Sequence, residues 1–273
     1  MPDHHQNGIS EAERHDVEEL AAPPARVIYE VVRRQGDEEL ARPLGSIFWS
    51  GIAGGVTIMV SVIAQGALRH KLPADLPLRD IVSELGYSVG FVMVILGRMQ
   101  LFTEQTIVTV LPVTAEPSWR KLAVTARLWG IVLAANLIGT LGAAAIIVFV
   151  HLVNPEIQQA MLEISGALLR KTPLDLLLYG IPAGFLMASI VWIKAGMEGE
   201  HFWIVFLLTY TIALGDFTHV VAGSAETFLL LCAGQVGVGQ AIGGILAPAL
   251  LGNVIGGTGL FALLAHAQVS RER

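Results

Sequence analysis

This sequence predicts an all-α integral membrane protein made of two related three-helix halves, with one interrupted helix in each. Three observations predict that fold class. The chain of 273 residues is 53% hydrophobic and only 15% charged, against roughly 25% charged residues in a soluble domain. Its apolar residues gather into six runs, near 45–67, 80–113, 122–152, 173–194, 201–232 and 236–267, and each reaches the ~20 residues needed to cross a bilayer core of about 30 Å. Two motifs also occur twice: Asn136-Leu-Ile-Gly139-Thr-Leu-Gly142 and Asn253-Val-Ile-Gly256-Gly-Thr-Gly259 both read N-x-I-G-x-x-G, 117 residues apart, and Phe102-Thr103-Glu104 and Phe217-Thr218-His219 lie 115 residues apart.

The elements follow in order. Residues 1–43 form a polar, acidic arm with Glu11, Glu13, Asp16, Glu18, Glu19, Asp37, Glu38 and Glu39. Two helical segments are expected in it, 12–22 and 25–35, parted by Pro23-Pro24. Val27, Ile28, Val31 and Val32 give the second an apolar stripe at helical spacing, suited to a membrane interface or a neighbouring subunit. Pro43 and Gly45 end the arm. A membrane domain then runs over 44–267, and 268–273 is a short tail. Three spans per half is an odd number, so the halves are expected to lie inverted, related by an axis in the membrane plane. Gly51-Ile-Ala-Gly54 in the first span is echoed by Gly180-Ile-Pro-Ala-Gly184 in the fourth. Glycine, 29 residues of the chain, is concentrated in the spans, where small residues let helix backbones approach.

Orientation follows Lys and Arg rather than the net charge of −6, since acidic residues count little in topology. With both termini on one side, that side carries Arg14, Arg26, Arg33, Arg34, Arg42, Arg120, Lys121, Lys194, Arg271 and Arg273; the other carries Arg69, Lys71, Arg79, Arg170 and Lys171. Ten against five predicts cytoplasmic termini. No basic surface suited to nucleic acid stands out. The single cysteine, Cys232, excludes an intrachain disulfide and a multi-cysteine metal site. No nucleotide loop, metal cluster or catalytic set is visible, so neither cofactor nor enzymatic activity is expected.

Polar residues interrupt the second and fifth spans. Leu101-Phe-Thr-Glu-Gln-Thr106 lies between apolar stretches, and so does Asp216-Phe-Thr-His219. Non-helical backbone at membrane depth is tolerated only where protein or a water-filled cavity surrounds it, so the two breaks are expected to meet at mid-membrane with Thr103 near His219. An ionisable group inside a membrane is costly and marks function by default, and imidazole, with its reference pKa near 6.5, switches charge at physiological pH. Arg98 stands one turn before Phe102. A bare guanidinium there costs at least ~2.5 kcal/mol, so it is expected to pair with Glu104 or Asp216.

L-F-T in a broken second span, F-x-H in a broken fifth, L-G-N-x-I-G-G in the sixth and Trp129 seven residues before Asn136 together resemble the formate/nitrite transporter family. The arrangement is most like a branch other than the formate, nitrite and hydrosulfide channels proper. The resemblance covers roughly residues 25–268. It implies an aquaporin-like fold assembled as a homopentamer, with one pore per subunit in the inner membrane. It implies that Thr103 faces His219 across the pore, flanked by constrictions at Leu101 and Ile212 with Phe102 adjoining. Asn136 and Asn253 are implied as supports for the loops. Departures from the pattern are Thr218 where a Glu usually precedes the histidine, Gly184 where an Asn is common, and Lys171 or Arg170 out of register with a lysine that guides anions. Arg98, Glu104 and Asp216 are additional charges near the breaks.

These residues favour a channel or transporter for small monovalent anions such as formate, nitrite, acetate or hydrosulfide, gated by or proton-linked through His219. A pore of the same fold for cations or neutral solutes, suggested by Glu104 and Asp216, and a non-conducting sensor acting through the arm are the alternatives. An aquaporin is disfavoured, because the only Asn-Pro, Asn154-Pro155, is not part of an N-P-A pair.

Overall fold

The structure, a computed structural model, describes residues 22–270. The helix expected over 12–22 and the charges at Arg14, Arg271 and Arg273 therefore lie outside the described residues, Ala22 apart. Among the described residues all regular structure is helical. The main helices are α1 (Ala25–Ala41), α2 (Leu44–Lys71), α3 (Tyr87–Leu96), α4 (Phe102–Val108), α5 (Trp119–Val150), α6 (Pro155–Ser165), α7 (Pro173–Ala195), α8 (Phe202–Leu214), α9 (Val220–Cys232) and α10 (Gln240–Ser270). Four of them, α2, α5, α7 and α10, are long and apolar enough to cross a membrane. The second expected span is divided into α3 and α4, and the fifth into α8 and α9.

Local sequence explains where the helices start. Ser118 caps α5 by accepting from Lys121 N at 3.2 Å. Asn154 caps α6 ahead of Pro155 at the first helical position. Thr172 and Asp175 form a reciprocal capping box on α7, followed by Pro173. Each cap satisfies amide donors that a helix start leaves free, and proline there loses no hydrogen bond. The outward faces stay apolar: Trp49, Phe149, Trp203 and Leu251 are all exposed. Helices apolar on all sides fit a lipid or subunit environment rather than water.

Two helix crossings dominate the packing, α2 on α5 and α7 on α10. Both depend on glycine. A Cβ on Gly139 of α5 would sit 2.9 Å from Gly55 Cα, and one on Gly252 of α10 would sit 2.8 Å from Gly180 Cα. Any side chain would push these backbones apart.

The helix α1 extends past the expected 25–35 to Ala41 and lies against the membrane helices. Gly36 permits this, since a Cβ there would collide with the Val108 carbonyl and Pro112. The expected apolar stripe is split between faces: Val32 is buried and Ile28 half-buried, whereas Val27 and Val31 are exposed; Tyr29, outside that stripe, is buried. Tyr29 Oη lies 2.8 Å from His266 Nδ1 near the end of α10, which ties the two ends of the described chain together.

Two cavities enter the bundle from opposite sides. One of ≈ 500 Å³ opens beside α1 and is lined by Glu38, Glu39, Arg98, Glu104 and Lys194 among others. The other, of ≈ 360 Å³, opens on the far side, where Arg69, Arg170, Lys171, Asp216 and His219 line it. The two share no lining residue.

Candidate pore site

The two breaks share one hydrogen-bonded skeleton. α3 ends at Gly97 and α8 at Gly215, each followed by a residue in the left-handed conformation, Arg98 and Asp216, both at φ 53°. In both, the next amide reaches back five residues at 3.0 Å, Met99 N to Val94 O and Phe217 N to Ile212 O, the Schellman pattern of helix termination. The chain then extends through Leu101 or His219 and restarts as α4 or α9.

A buried asparagine ties off each break. Phe102 N donates to Asn136 Oδ1 at 2.9 Å, and Asn136 Nδ2 donates to Gln100 O and Gly51 O at 2.9 and 2.8 Å. In the other half Val220 N donates to Asn253 Oδ1 at 2.8 Å, and Asn253 Nδ2 donates to Thr218 O and Gly180 O at 2.8 and 2.9 Å. One side chain thus satisfies one donor and one acceptor that the interruption frees, and anchors them to a carbonyl of α2 (Gly51) or α7 (Gly180). These bonds set the correspondence between the halves: Gly97–Phe102 matches Gly215–Val220, an offset of 118 residues. The pairing of Phe102-Thr103 with Phe217-Thr218 at 115 is not the structural one, and Leu101, not Thr103, is the counterpart of His219.

The first break also lies earlier than expected. It occupies Gly97–Leu101 rather than 101–106, and Thr103 sits in the first turn of α4. The reason is local. Asn136 fixes the helix start at Phe102, and the Thr106 and Thr109 hydroxyls fold back on Thr103 O and Gln105 O at 2.7 and 2.8 Å, so these threonines sit within helical turns. The second break, Gly215–His219, lies close to the expected 216–219.

Thr103 and His219 are brought together: Thr103 Oγ1 lies 2.7 Å from His219 Nε2, with both residues almost fully buried. His219 is also the N-cap of α9, where its Nδ1 accepts from Ala222 N at 3.1 Å. A backbone N–H can only donate, and a neutral imidazole has one donor and one acceptor nitrogen. The proton therefore sits on Nε2 and is donated to Thr103. The Thr103 hydroxyl hydrogen remains, with no acceptor among the described residues. Phe91 packs edge-on to the imidazole at 4.9 Å.

The other expected residues are distributed as follows. Leu101 and Ile212 are fully buried, and Ile212 lines the far cavity. The Phe102 ring packs on Trp129 at 5.6 Å, and Trp129 Nε1 donates to Thr109 Oγ1 at 2.9 Å. The Thr218 carbonyl accepts from Asn253, but its hydroxyl has no partner among the described residues. Glu104 lies 3.9 Å from Lys194. Lys171 Nζ donates to Asp216 O at 2.8 Å and stands 4.0 Å from Asp216 Oδ1.

Arg98 corrects the expectation of an ion pair. Among the described residues it has none; its side chain lines the cavity beside α1 and is exposed. Because the break begins at Gly97, the left-handed turn releases Arg98 into the mouth of a solvent cavity, where its charge needs no buried partner.

Phe91 and Gln100 went unnoticed in the sequence, whereas Gln105 lies within the expected first break. Phe91 has no polar signature. Gln100 and Gln105 form a chain, in which Gln105 Nε2 donates to Gln100 Oε1 and Gln100 Nε2 to Glu39 Oε2, at 2.7 and 2.8 Å. Two glutamines five residues apart in an apolar run were the available signal.

Half-helices meeting end to end between two opposed cavities, inside an all-helical bundle with an apolar exterior, define a membrane protein of the channel or transporter class. The formate/nitrite transporter model matches residues 26–267, and the chain belongs to that family. Inner membrane protein YfdC of Escherichia coli (strain K12) is 36% identical over 248 residues, covering 91% of this chain and 80% of that protein. Uncharacterized transporter YrhG of Bacillus subtilis (strain 168) is 30% identical over 265 residues, covering 90% and 94%. Among solved structures, a pentameric formate channel with formate bound superposes with TM-score 0.72 at 19% identity, over 84% of this chain and 98% of that one. An FNT family ion channel does so with the same score and identity, over 89% and 98%. At this identity the two structures show a shared fold.

Proposed function

We propose that this protein is an inner-membrane channel or transporter for small monovalent anions of the formate, nitrite, acetate or hydrosulfide type, assembled as a homopentamer with a pore through each subunit. Six crossings arranged as two inverted repeats, with both termini cytoplasmic, accompany this reading; the paired hydrogen-bond skeletons of the two breaks support the repeat. The arm 1–43 is then a cytoplasmic element and 44–267 the pore domain. The observation that carries the reading is the Thr103–His219 contact of 2.7 Å between the cavities. An anion loses hydration when it enters an apolar constriction, and that loss is costly unless donors replace the water. The unused Thr103 hydroxyl hydrogen is such a donor, and the His219 N–H holds the threonine in place. Leu101, Ile212 and Phe102 form the dry ring that makes donation selective; Arg98 and Lys194 on one side and Lys171 on the other draw the anion in.

Uptake of labelled formate, nitrite and acetate into proteoliposomes tests this directly. Flux above that of empty liposomes, driven by the imposed anion gradient, is expected. A second reading, conduction of cations or neutral solutes, draws on the far cavity, where Asp80, Glu84, Glu163, Asp216 and Glu226 outnumber Arg69, Arg170 and Lys171. A reversal potential that follows the cation gradient would replace the first reading with the second.

A further inference from the structure

The far cavity holds more chemistry than the Thr103–His219 contact uses. Glu226 stands on α9 seven residues after His219, and Gly223 between them lines the same space. Two helical turns separate residues seven apart and put them on one face, so Glu226 and His219 look into one cavity of ≈ 360 Å³. Glu84 lines it from the approach to α3, where Gln65 Nε2 donates to its Oε2 at 2.6 Å.

Two more side chains of this lining, Gln65 at 2% and Thr218 at 4% exposure, are almost completely buried. Gln65 Oε1 and Thr218 Oγ1 nevertheless have no hydrogen-bond partner among the described residues. An unpaired buried polar atom costs about 1–3 kcal/mol. Arg69 Nε of the same lining is a donor with no hydrogen-bond partner among the described residues, so the cavity is suited to an occupant that brings both an O–H or N–H and an acceptor oxygen. No group of three or more His, Cys, Asp or Glu among the described residues converges as metal ligands, so a small hydrogen-bonding solute fits better than a metal ion.

A proton source is also missing from the Thr103–His219 pair. Full protonation of His219 would place a hydrogen on Nδ1, opposite the Ala222 amide it now accepts from, and would break the cap of α9. The geometry points to Glu226, supported by Glu84, as a proton-loading site that converts an incoming monoanion to its undissociated acid before it reaches Thr103. This inference rests on the anion-channel reading above. In the step, the Glu226 carboxyl gives its proton to a solute oxygen and is left ionised; water at the open side of the cavity returns a proton to it. The neutral acid then has an O–H to donate to Gln65 Oε1 or Thr218 Oγ1. It crosses the ring at Leu101, Ile212 and Phe102 at a small part of the desolvation cost of an ion.

The charges around Glu226 fit this role. Asp80 and Glu84 line the cavity from the approach to α3, Tyr87 from its first turn, and Arg69 from α2. Glu163 of α6, with Arg170 and Lys171 just before α7, adds one acid and two cations, and the second break adds Asp216 and His219. Glu84 and Asp216, of like charge to an ionised Glu226, and Lys171, of opposite charge, share its cavity. A proton on Glu226 removes the like-charge repulsion, and Lys171 stabilises the carboxylate left after transfer.

The test uses the full chain in proteoliposomes, with formate uptake and internal pH followed together between about pH 5 and pH 8. In the wild type, formate entry should acidify the lumen by about one proton per formate, as neutral-acid entry requires. Glu226→Gln should lower uptake on the order of tenfold near pH 8 and much less near pH 5, where undissociated acid is more plentiful in bulk. Glu226→Asp should restore most of the loss, and Glu84→Gln should fall between. A Glu226→Gln profile parallel to wild type at every pH, or formate entry without proton entry, overturns the loading site while leaving the channel reading standing. If Glu226→Gln fails to assemble, the Glu84→Gln profile decides, a parallel one again overturning the site. No formate flux in the wild type would sink the channel reading, and the loading site with it.

Discussion

The two breaks use the same backbone and opposite chemistry. Each has a glycine, a left-handed residue, a five-residue amide reach and an asparagine that makes three hydrogen bonds. At matched positions stand Arg98 and Asp216, Gln100 and Thr218, Leu101 and His219, Phe102 and Val220. The skeleton is duplicated because its demands are those of any interrupted helix: freed donors and acceptors must be paired wherever water is absent. The other side chains of the breaks have no such constraint. They diverge, so one break presents an apolar Leu101 and the other a hydrogen-bonding His219. Symmetry here belongs to backbone support, and asymmetry to the side chains it carries.

The largest expected effects come from breaking the shared part. Asn136→Ala or Asn253→Ala leaves one buried amide and one loop carbonyl unpaired, at about 1–3 kcal/mol each. Thermal unfolding of the detergent-solubilised oligomer should drop severely, and by similar amounts for the two variants. A large loss for one and none for the other would show that the skeletons are not equivalent in energy.

Substitution at the divergent position sharpens the comparison. His219→Asn keeps a residue able to cap α9 but is too short to hold Thr103. It should assemble normally and lose on the order of tenfold in formate flux. His219→Phe loses the cap as well, and should cost a further ~1 kcal/mol in thermal stability. Normal flux through a properly assembled His219→Asn oligomer would remove His219 from the solute path.

Arg98 and Asp216 share a strained backbone and differ in surroundings. Glycine at either position relieves the left-handed conformation, worth about 1 kcal/mol. Asp216→Gly also gives up an ion pair in which Asp216 is 81% exposed, worth about 0–1 kcal/mol. Arg98→Gly should therefore stabilise the oligomer more than Asp216→Gly in a melting experiment. The reverse order would reveal a partner for Arg98.

The smallest effect concerns α1 outside the bundle. Hydrogen bonds from Arg33 and Arg34 hold the Glu30 carboxyl well below its usual value of 4.5, at about 2. A depressed carboxylate contributes stability that is present above the unfolded value and lost as pH falls through the folded one. The window is thus about pH 4.5 down to 2. At this exposed site the contribution is below about 1 kcal/mol. Protection factors of α1 amides, corrected for the intrinsic pH dependence of exchange, should fall as pH drops across that window, and Glu30→Gln should abolish that fall.

The sequence by itself determined the class of fold, the position of most helices and the family. Apolar runs of bilayer length are dictated by the solvent they cross, and the repeated Asn-x-Ile-Gly motif survives because one asparagine per break is what the freed backbone groups need. Thr103 and His219 could be singled out for the same reason, as polar residues in apolar runs. Other features were decided only by tertiary structure. The start of the first break depends on a hydrogen bond from α5 to Phe102, 34 residues distant, which no local pattern encodes. The true offset between halves, the placement of Arg98 at a cavity and the tautomer of His219 depend on contacts across the bundle. The sharing of one cavity by Glu84, Gln65, Thr218 and Glu226 does too, since these residues come from four separate segments and only packing makes them neighbours.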